Sequence, residues 1–372
     1  MSQKLIKRGR LMMAVTGLSL AIVATTGLAA DTDIGPLPKL KTDLLKAELG
    51  KRLFFDKRIS GDAGISCSTC HDPEHGFSHP DALSPGYPGN KHFRNSPSLI
   101  NVSHKKTWMH DGRIGTNLND ATREMITEDY TMNMDMRIMQ ERTKQDPEYV
   151  RMFKEAGYGE PSNGSIRKAI PEFMKTLTSR GAPFDTGKMS RSAKRGQKVF
   201  EGKGGCTACH NGANFNDDKA HNTGVPENFD VFLDPMRHQA FLAWGLFLGI
   251  ENLYAQKRDP GAHIQTHKAD GSDMGKFMTP SLRELSYTAP YMHNGMIKTL
   301  EDVVDFYNEG GGQDSHKSEL MKPLNLSSKE QKDLVSFLKA LSGDRLEGQE
   351  FVWDQAYPAE YAPIANWRKV RN

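Results

Sequence analysis

Two five-residue sequences of the form Cys-x-x-Cys-His constrain this 372-residue chain more than any other feature. They contain all four cysteines of the chain, each pair followed by a histidine: Cys67, Cys70 and His71, then Cys206, Cys209 and His210. This pattern is typical of covalent haem c attachment, in which the thiols hold the macrocycle and the histidine is the proximal iron ligand. A zinc half-site or a thioredoxin-like redox pair is the alternative, but no further cysteine completes a zinc site. The sequence therefore predicts two covalently bound haem c groups.

The first 30 residues have the layout of a secretory signal peptide. Basic residues at 4, 7, 8 and 10 precede an apolar run over 11–30, which ends in small residues suited to cleavage near Ala29 or Ala30. An uncleaved membrane anchor is the alternative, since the run is close to the shortest that spans a bilayer. Because haem is attached to such motifs outside the cytoplasm, we expect a periplasmic protein with no membrane span in its mature form.

The charge balance bears on possible partners. The chain has 49 Lys and Arg against 46 Asp and Glu, a formal net charge of +3. This balance favours neither nucleic acid nor a strongly charged membrane surface. The mature chain is long enough for two domains, each with a buried core.

A short repeat precedes each haem motif. Residues 50–54 (Gly-Lys-Arg-Leu-Phe) and 196–200 (Gly-Gln-Lys-Val-Phe) each place a glycine and an aromatic residue on one helical face. The glycine allows another helix to approach closely, so we expect each repeat to be the first helix of a cytochrome c-like unit. For the second unit, apolar spacing predicts the partner helix at Ser328–Leu341, after the cap candidates Ser327 and Ser328.

Strand signals are sparse, so the predicted fold is mainly α-helical. We expect two cytochrome c-like haem domains with long loops and the haems on either side of the domain interface. A further helix is predicted over 166–178, while residues 72–94 and 211–279 are predicted as long loops around a cofactor. Within the second loop, residues 241–250 suggest a buried helix or a docking surface. The predicted division is a signal peptide at 1–30, an N-terminal haem domain at 31–185, a C-terminal haem domain at 186–345 and a tail at 346–372.

Several motifs resemble those of the bacterial dihaem cytochrome c peroxidase and MauG family, and they occur in the family's order. Residues 94–99 (Arg-Asn-Ser-Pro-Ser-Leu) and 111–113 (Asp-Gly-Arg) resemble its first-haem region, and residues 279–285 and 288–295 its second-haem region. The resemblance implies an enzyme that uses hydrogen peroxide as oxidant at the first, peroxidatic haem. Its electrons would come from a small periplasmic redox protein or from side chains of a protein substrate.

The resemblance also implies a ligand for the second haem. In the family this ligand lies fourteen residues after the histidine of a Pro-Tyr-x-His motif, and it is methionine in peroxidases and tyrosine in MauG. Counting from His293 gives Tyr307. A phenolate stabilises ferric and higher-valent iron, whereas a thioether favours ferrous iron. Tyr307 is therefore the predicted iron ligand; Met296 and a role for Tyr307 in the core are the alternatives.

At the first haem, the sequence departs from the family. Many of its peroxidases carry a removable distal histidine seven residues before the arginine of Arg-Asn-Ser-Pro, and here Tyr87 stands there. This predicts an open iron, with His92, His79 and His75 as alternative ligands. Thr131 occupies the place of the family's distal glutamate, although Glu128 and its neighbours Glu124 and Asp129 are close in sequence. We therefore take Tyr87, Thr131, Glu128 and His92 as the distal candidates.

The tryptophan that relatives place between the haems is also replaced. His110 stands at that position, with Trp108 two residues earlier, and both are candidates for electron relay. Thr131 and His110 are the features that favour the competing class, a non-catalytic electron carrier or haem sensor.

The remaining expectations concern metal ions and the tail. The family binds calcium between the haems, and Asn95, Thr288 and Pro290 match its ligand positions; oxygen ligands suit this ion. Four methionines at 132, 134, 136 and 139 are interpreted as packing residues, with copper binding as the alternative. The aromatic tail is expected to pack over the first domain, with docking of a partner or a radical on its aromatic residues as the alternatives.

Overall fold

The computed structural model describes residues 34–87, 90–115 and 117–344. The predicted signal peptide and the predicted tail beyond residue 345 lie outside these residues. Helices dominate the described part, and its one sheet has two strands, β1 (Ala220–His221) and β2 (Phe277–Met278), which pair antiparallel. The mainly α-helical fold class is thus confirmed. The α-helices are α1 (Leu44–Phe55), α2 (Cys67–Cys70), α3 (Leu118–Thr127), α4 (Met136–Lys144), α5 (Pro147–Glu155), α6 (Asn163–Met174), α7 (Arg191–Glu201), α8 (Asp230–Leu233), α9 (Pro235–Phe247), α10 (His263–Thr266), α11 (Leu300–Asn308) and α12 (Ser328–Ala340).

Two pairs of crossing helices form the framework, α1 with α6 and α7 with α12. At each crossing, a glycine of the first helix meets the backbone of the second. A β-carbon on Gly50 would clash with the Ala169 carbonyl, and one on Gly196 would clash with the Asp333 carbonyl. Only a hydrogen fits at these positions, as the sequence repeat predicted. The two halves of the chain therefore repeat one packing arrangement.

The helix ends follow local hydrogen bonds. The predicted helix Ser328–Leu341 is α12, and it begins with a capping box in which Ser327 N–H donates to the Glu330 carboxylate at 2.8 Å. The helix predicted over 166–178 is α6, which begins earlier because Ser162 caps it. It also ends earlier, because Thr176 and Leu177 donate to carbonyls three residues back in a tight final turn.

Residues 211–279 contain more regular structure than the sequence predicted. They hold α8, α9, α10 and both strands, so the prediction of one long loop is wrong, although the helix suggested at 241–250 overlaps α9. Helix α9 carries apolar side chains on most of its faces. It therefore lacks the one-sided apolar pattern by which a surface helix is recognised in a sequence. Phe241 and Trp244 of α9 are buried, while Phe247 is 80% exposed. Together α8, α9 and α10 pack over Leu83, Phe93 and Tyr130 and cover this side of the first half.

Further apolar cores lie around the two helix pairs. The first includes Met132, Met134 and Met139, and Met136 packs against it, which confirms the interpretation of these methionines as packing residues. The second surrounds Phe200 of α7 and Phe337 of α12, whose rings lie 5.1 Å apart. No helix in the described part of the chain has the length and hydropathy needed to span a bilayer.

Candidate haem sites

The first cysteine pair forms the two ends of α2, which leads directly into His71. Cys67 and Cys70 are not joined in a disulfide, and one helical turn places them on the same side. The His71 N–H closes this turn by donating to the Cys67 carbonyl at 3.0 Å. Burial raises the pKa of both thiols to about 12. A redox dithiol needs a lowered thiol pKa, so the protein environment argues against the thioredoxin-like alternative.

The two motif histidines are oriented in the same way. His71 Nδ1 lies 3.1 Å from the carbonyl oxygens of Phe77 and Pro97, and His210 Nδ1 lies 3.0 Å from that of Phe215. The Pro280 carbonyl also interacts with His210. An Nδ1–H bonded to a carbonyl fixes the tautomer and leaves Nε2 as the metal-binding atom. Burial lowers the pKa of His71 to about 4, so the ring is neutral, as an iron ligand must be. The donor set thus fits two haem groups.

Tyr307 lies beside the second cysteine pair. It belongs to the last turn of α11, which Thr299 caps by accepting from Asp302 N–H. Burial raises the pKa of its phenol, and the nearby thiols of Cys206 and Cys209 raise it further. Folding therefore brings this side chain, distant in sequence, to the motif of His210. The alternative ligand Met296 is 41% exposed.

The segment around Tyr87 lies beside the first motif. Cys70 Sγ is 3.6 Å from the Pro85 carbonyl oxygen, and Tyr87 N–H donates to the Tyr130 carbonyl at 3.3 Å. The Thr131 hydroxyl donates to the Met125 carbonyl at 2.6 Å, so backbone contacts occupy it.

Glu128 faces the phenol of Tyr130. Burial raises the pKa of this carboxyl, and the neighbouring charge of Glu124 raises it further, while contact with Tyr130 opposes the shift. Glu128 is thus a partly buried carboxyl next to a buried aromatic residue.

The three alternative histidines all use Nδ1 in local contacts. His92 accepts from Arg94 N–H at 3.0 Å, His79 accepts from Asp81 N–H at 3.1 Å, and His75 lies 2.8 Å from Asp72 Oδ2. His92 also stacks on Phe93, with ring centroids 4.7 Å apart. Burial, with Arg94 close by, lowers the pKa of His92 to about 3.

His110, and not Trp108, lies at the boundary between the halves. Trp108 is buried in the first core, where its Nε1–H donates to the Val102 carbonyl at 3.2 Å. His110 Nε2 is 2.9 Å from the Asn95 carbonyl oxygen, and its ring faces that of His293 at 6.4 Å. His293 in turn stacks on Phe277 at 3.6 Å.

A second internal repeat explains this pairing, and the sequence reasoning missed it. Residues 108–114 (Trp-Met-His-Asp-Gly-Arg-Ile) match residues 291–297 (Tyr-Met-His-Asn-Gly-Met-Ile). In each copy the N–H of the first residue donates to the carbonyl of the last at 2.7 Å. Pro-Ser-Leu precedes both copies, at 97–99 and 280–282, and its proline carbonyls are those that contact His71 and His210. This spacing was the available signal for the structural roles of His293, Pro97 and Pro280, which the sequence reasoning left unassigned.

A buried arginine ties the halves together. Arg94 donates to Asp111 at 2.5 Å and, through Nε, to Asp259 at 2.7 Å. Its guanidinium also lies 4.6 Å from the centre of the Trp244 ring. Asp259 precedes α10 and Trp244 belongs to α9, so this arginine of the first half is fixed by the covering segment of the second.

The predicted calcium ligands are partly brought together. Asn95 N–H donates to the His293 carbonyl at 2.8 Å, close in sequence to Thr288 and Pro290. The Asn95 side-chain amide donates to the Asp81 carbonyl at 2.8 Å. This bond occupies the nitrogen and leaves Oδ1 as the oxygen suited to a cation.

A mainly helical fold with two Cys-x-x-Cys-His motifs and carbonyl-oriented histidines defines the class of c-type cytochromes. The chain belongs to the dihaem cytochrome c peroxidase and MauG family. The family model described as Di-haem cytochrome c peroxidase matches residues 45–194. The cytochrome-c peroxidase IdrP2 of Denitromonas iodatirespirans is 48% identical over 339 residues, 88% of this chain and 91% of that protein.

Other relatives represent the MauG branch. The methylamine utilization protein MauG of Methylorubrum extorquens is 34% identical over 80% of this chain and 78% of its own. The crystal structure of a MauG-like protein associated with microbial copper homeostasis superposes with a TM-score of 0.71 at 26% identity, over 88% of this chain and 99% of that one. The chain is therefore a dihaem peroxidase-type oxidoreductase, and the alternative of a non-catalytic carrier or sensor is not favoured.

Proposed function

We propose that both motifs hold haem c in two cytochrome c-like domains, and that hydrogen peroxide is reduced at the site of His71. Cys67 and Cys70 would hold one haem and Cys206 and Cys209 the other, with His71 and His210 as proximal ligands and Tyr307 as the second ligand beside His210. One observation carries the proposal. Tyr307 is a phenol brought to the His210 motif, whereas Tyr87 gives the His71 motif no imidazole at the position of the family's distal ligand.

When bound, haem supplies the redox chemistry, and the protein supplies orientation and proton transfer. The carbonyls of Phe77 and Pro97 hold the His71 ring so that Nε2 is presented to the metal. Glu128 is the proposed base that takes a proton from peroxide, since burial moves its pKa upward toward the working range of a proton acceptor. The Thr131 hydroxyl, in contrast, donates to backbone carbonyls.

The electron donor follows one of two patterns. A tyrosine at position 307 favours oxidation of a protein partner, as the resemblance to MauG implies. The higher identity to IdrP2, 48% against 34% for MauG, favours a small periplasmic redox protein as donor. Peroxide consumption by the purified protein, measured with and without a reduced small cytochrome c, separates the two. A strong dependence on the added cytochrome supports the peroxidase pattern.

Export and calcium binding belong to the same proposal. A signal peptide at 1–30 would deliver the chain to the periplasm, and Asn95, Thr288 and Pro290 would bind one calcium ion. Metal analysis of the exported protein before and after treatment with a calcium chelator tests the second point. A calcium-free protein with normal spectra would remove calcium from the proposal.

Two measurements test the haem assignment. The intact mass should exceed that of the processed chain by two haem groups, and Cys67→Ala with Cys70→Ala should remove one of them. Electron paramagnetic resonance of the ferric protein should show one high-spin and one low-spin iron without prior reduction. Two low-spin signals would mean that a histidine such as His92 closes the first site.

A further inference from the structure

We propose that Tyr130 is a redox-active residue, which gives one electron to the oxidant formed from peroxide and its phenolic proton to Glu128. The product is a neutral tyrosyl radical beside a protonated carboxyl. This inference rests on the proposed function, because it requires peroxide to react near the His71 motif. Tyr130 would hold one oxidising equivalent in a protein in which His110 stands at the position of the family's tryptophan between the haems.

The position of Tyr130 places it near the first motif and away from solvent. Its carbonyl accepts from Tyr87 N–H at 3.3 Å, and Gly86 packs closely against the same carbonyl. Two residues from Tyr87, the Pro85 carbonyl lies 3.6 Å from Cys70 Sγ. Tyr130 itself is 5% exposed, under the cover formed by α8, α9 and α10. The Tyr130 backbone thus adjoins the segment that contacts the first motif, and its side chain is shielded from water.

A suitable proton acceptor faces the phenol. A tyrosine must lose a proton when it loses an electron, so a nearby base lowers the cost of oxidation. The Glu128 carboxyl contacts the Tyr130 hydroxyl, and burial raises the pKa of both groups, which keeps the phenol protonated at rest and makes the carboxylate a better acceptor. Arg113, whose charge acts on Tyr130, is engaged by Asp111 at 2.7 Å and Glu124 at 2.5 Å.

Neighbouring aromatic residues are less suited to oxidation. The Arg94 guanidinium lies 4.6 Å from the Trp244 ring and disfavours a positive charge on it. The Trp108 Nε1–H donates to a backbone carbonyl, which cannot accept the proton. Tyr149 does donate to Asp56 at 2.7 Å, but the guanidinium groups of Arg52 and Arg58 lie 5.0 and 5.4 Å from its ring.

The step balances over one turnover. Reduction of hydrogen peroxide to two water molecules takes two electrons and two protons. Glu128 returns the proton that it took from peroxide to the departing water and is then free to accept another. Tyr130 supplies one electron and passes its phenolic proton to Glu128, the other electron is drawn from the haem pair, and two protons from solvent complete the water. Two electrons from the external donor and the proton held by Glu128 then restore the haem pair and the phenol.

Freeze-quenched electron paramagnetic resonance of the haem-loaded protein tests this step. Mixing with one equivalent of hydrogen peroxide should give an organic-radical signal that narrows when ring-deuterated tyrosine is incorporated. Tyr130→Phe should remove most of this signal. Tyr254→Phe is the control, because Tyr254 is 71% exposed and lies outside this cluster, and it should leave the signal unchanged.

A second variant keeps the phenol in place. Glu128→Gln preserves the shape of the acceptor but removes its basicity, so the radical yield per haem that has reacted with peroxide should fall although Tyr130 is present. An unchanged signal in Tyr130→Phe or in Glu128→Gln overturns the inference. If the wild-type haem absorption does not respond to peroxide at all, the proposed function fails instead, so the two failures are distinguishable.

Discussion

His110 and His293 face each other across the boundary between the two halves, with ring centroids 6.4 Å apart and ring planes at 69°. They occupy matching positions in the repeat at 108–114 and 291–297. His293 Nε2 is buried without a hydrogen-bond partner among the described residues, and it lines a small cavity with Glu227 and Asp259. Burial lowers the pKa of His110 to about 4 and that of His293 to about 3. Both rings are therefore neutral at the interface.

This pair predicts acid sensitivity of the folded protein. Each folded-state pKa lies below the value of about 6.5 of an unfolded histidine, so the unfolded chain takes up protons first as the pH falls. The stabilisation is complete above about pH 6.5 and is lost as the pH falls through the folded values of about 4 and 3. The midpoint temperature of thermal unfolding, followed by circular dichroism, should decrease as the pH is lowered from 7 to 4.5. His293→Gln should flatten the dependence of the midpoint on pH. His238 is partly exposed, so His238→Gln should leave this dependence unchanged.

The glycines at the helix crossings predict a loss of stability on enlargement. Gly50→Ala and Gly196→Ala would push a methyl group into a backbone carbonyl, and overpacking of this kind costs about 1–3 kcal/mol. Gly164→Ala in α6 is the matched control, because an added β-carbon meets nothing within 4 Å there. Urea unfolding curves of the three variants compare the effects. Equal stability of Gly50→Ala and Gly164→Ala would show that α1 and α6 do not cross at this glycine.

The buried ion pair of Arg94 with Asp259 predicts that the packing between the two halves depends strongly on the Arg94 side chain. Arg94→Gln leaves the Asp259 carboxylate buried without its cation, and breaking a buried pair typically costs about 3–5 kcal/mol. Limited proteolysis should then cut the covering segment around α9 faster. Arg137→Gln removes a pair with Asp135 whose arginine is 89% exposed, and it should leave the proteolysis rate unchanged.

Tyr307 predicts a spectroscopic difference between its variants. If the phenol binds iron, Tyr307→Met should raise the potential of the second haem and introduce a thioether charge-transfer band. Tyr307→Phe should convert the low-spin signal to another species. Absorption and paramagnetic resonance spectra of the ferric proteins check both. A Tyr307→Phe spectrum identical to the wild type would make Tyr307 a packing residue and would remove the likeness to MauG at this site.

The sequence alone determined the features that depend on short spacing. The Cys-x-x-Cys-His motifs, the crossing glycines Gly50 and Gly196 and the cap of α12 at Ser327 are local patterns, since one turn of backbone fixes their geometry. The family spacing also pointed to Tyr307, whose phenol the fold places near Cys206, while its role as an iron ligand stays a prediction.

Only the tertiary structure decided which distant groups meet. The cover that α8, α9 and α10 form over Tyr130 has no local signature, because a helix that is apolar on most sides shows no amphipathic period. The choice of His110 over Trp108 at the boundary and the contact of Arg94 with Asp259 likewise depend on how the halves pack. Burial then raises the pKa of Glu128 and lowers that of His293, and burial is a property of the folded chain that no spacing of residues records.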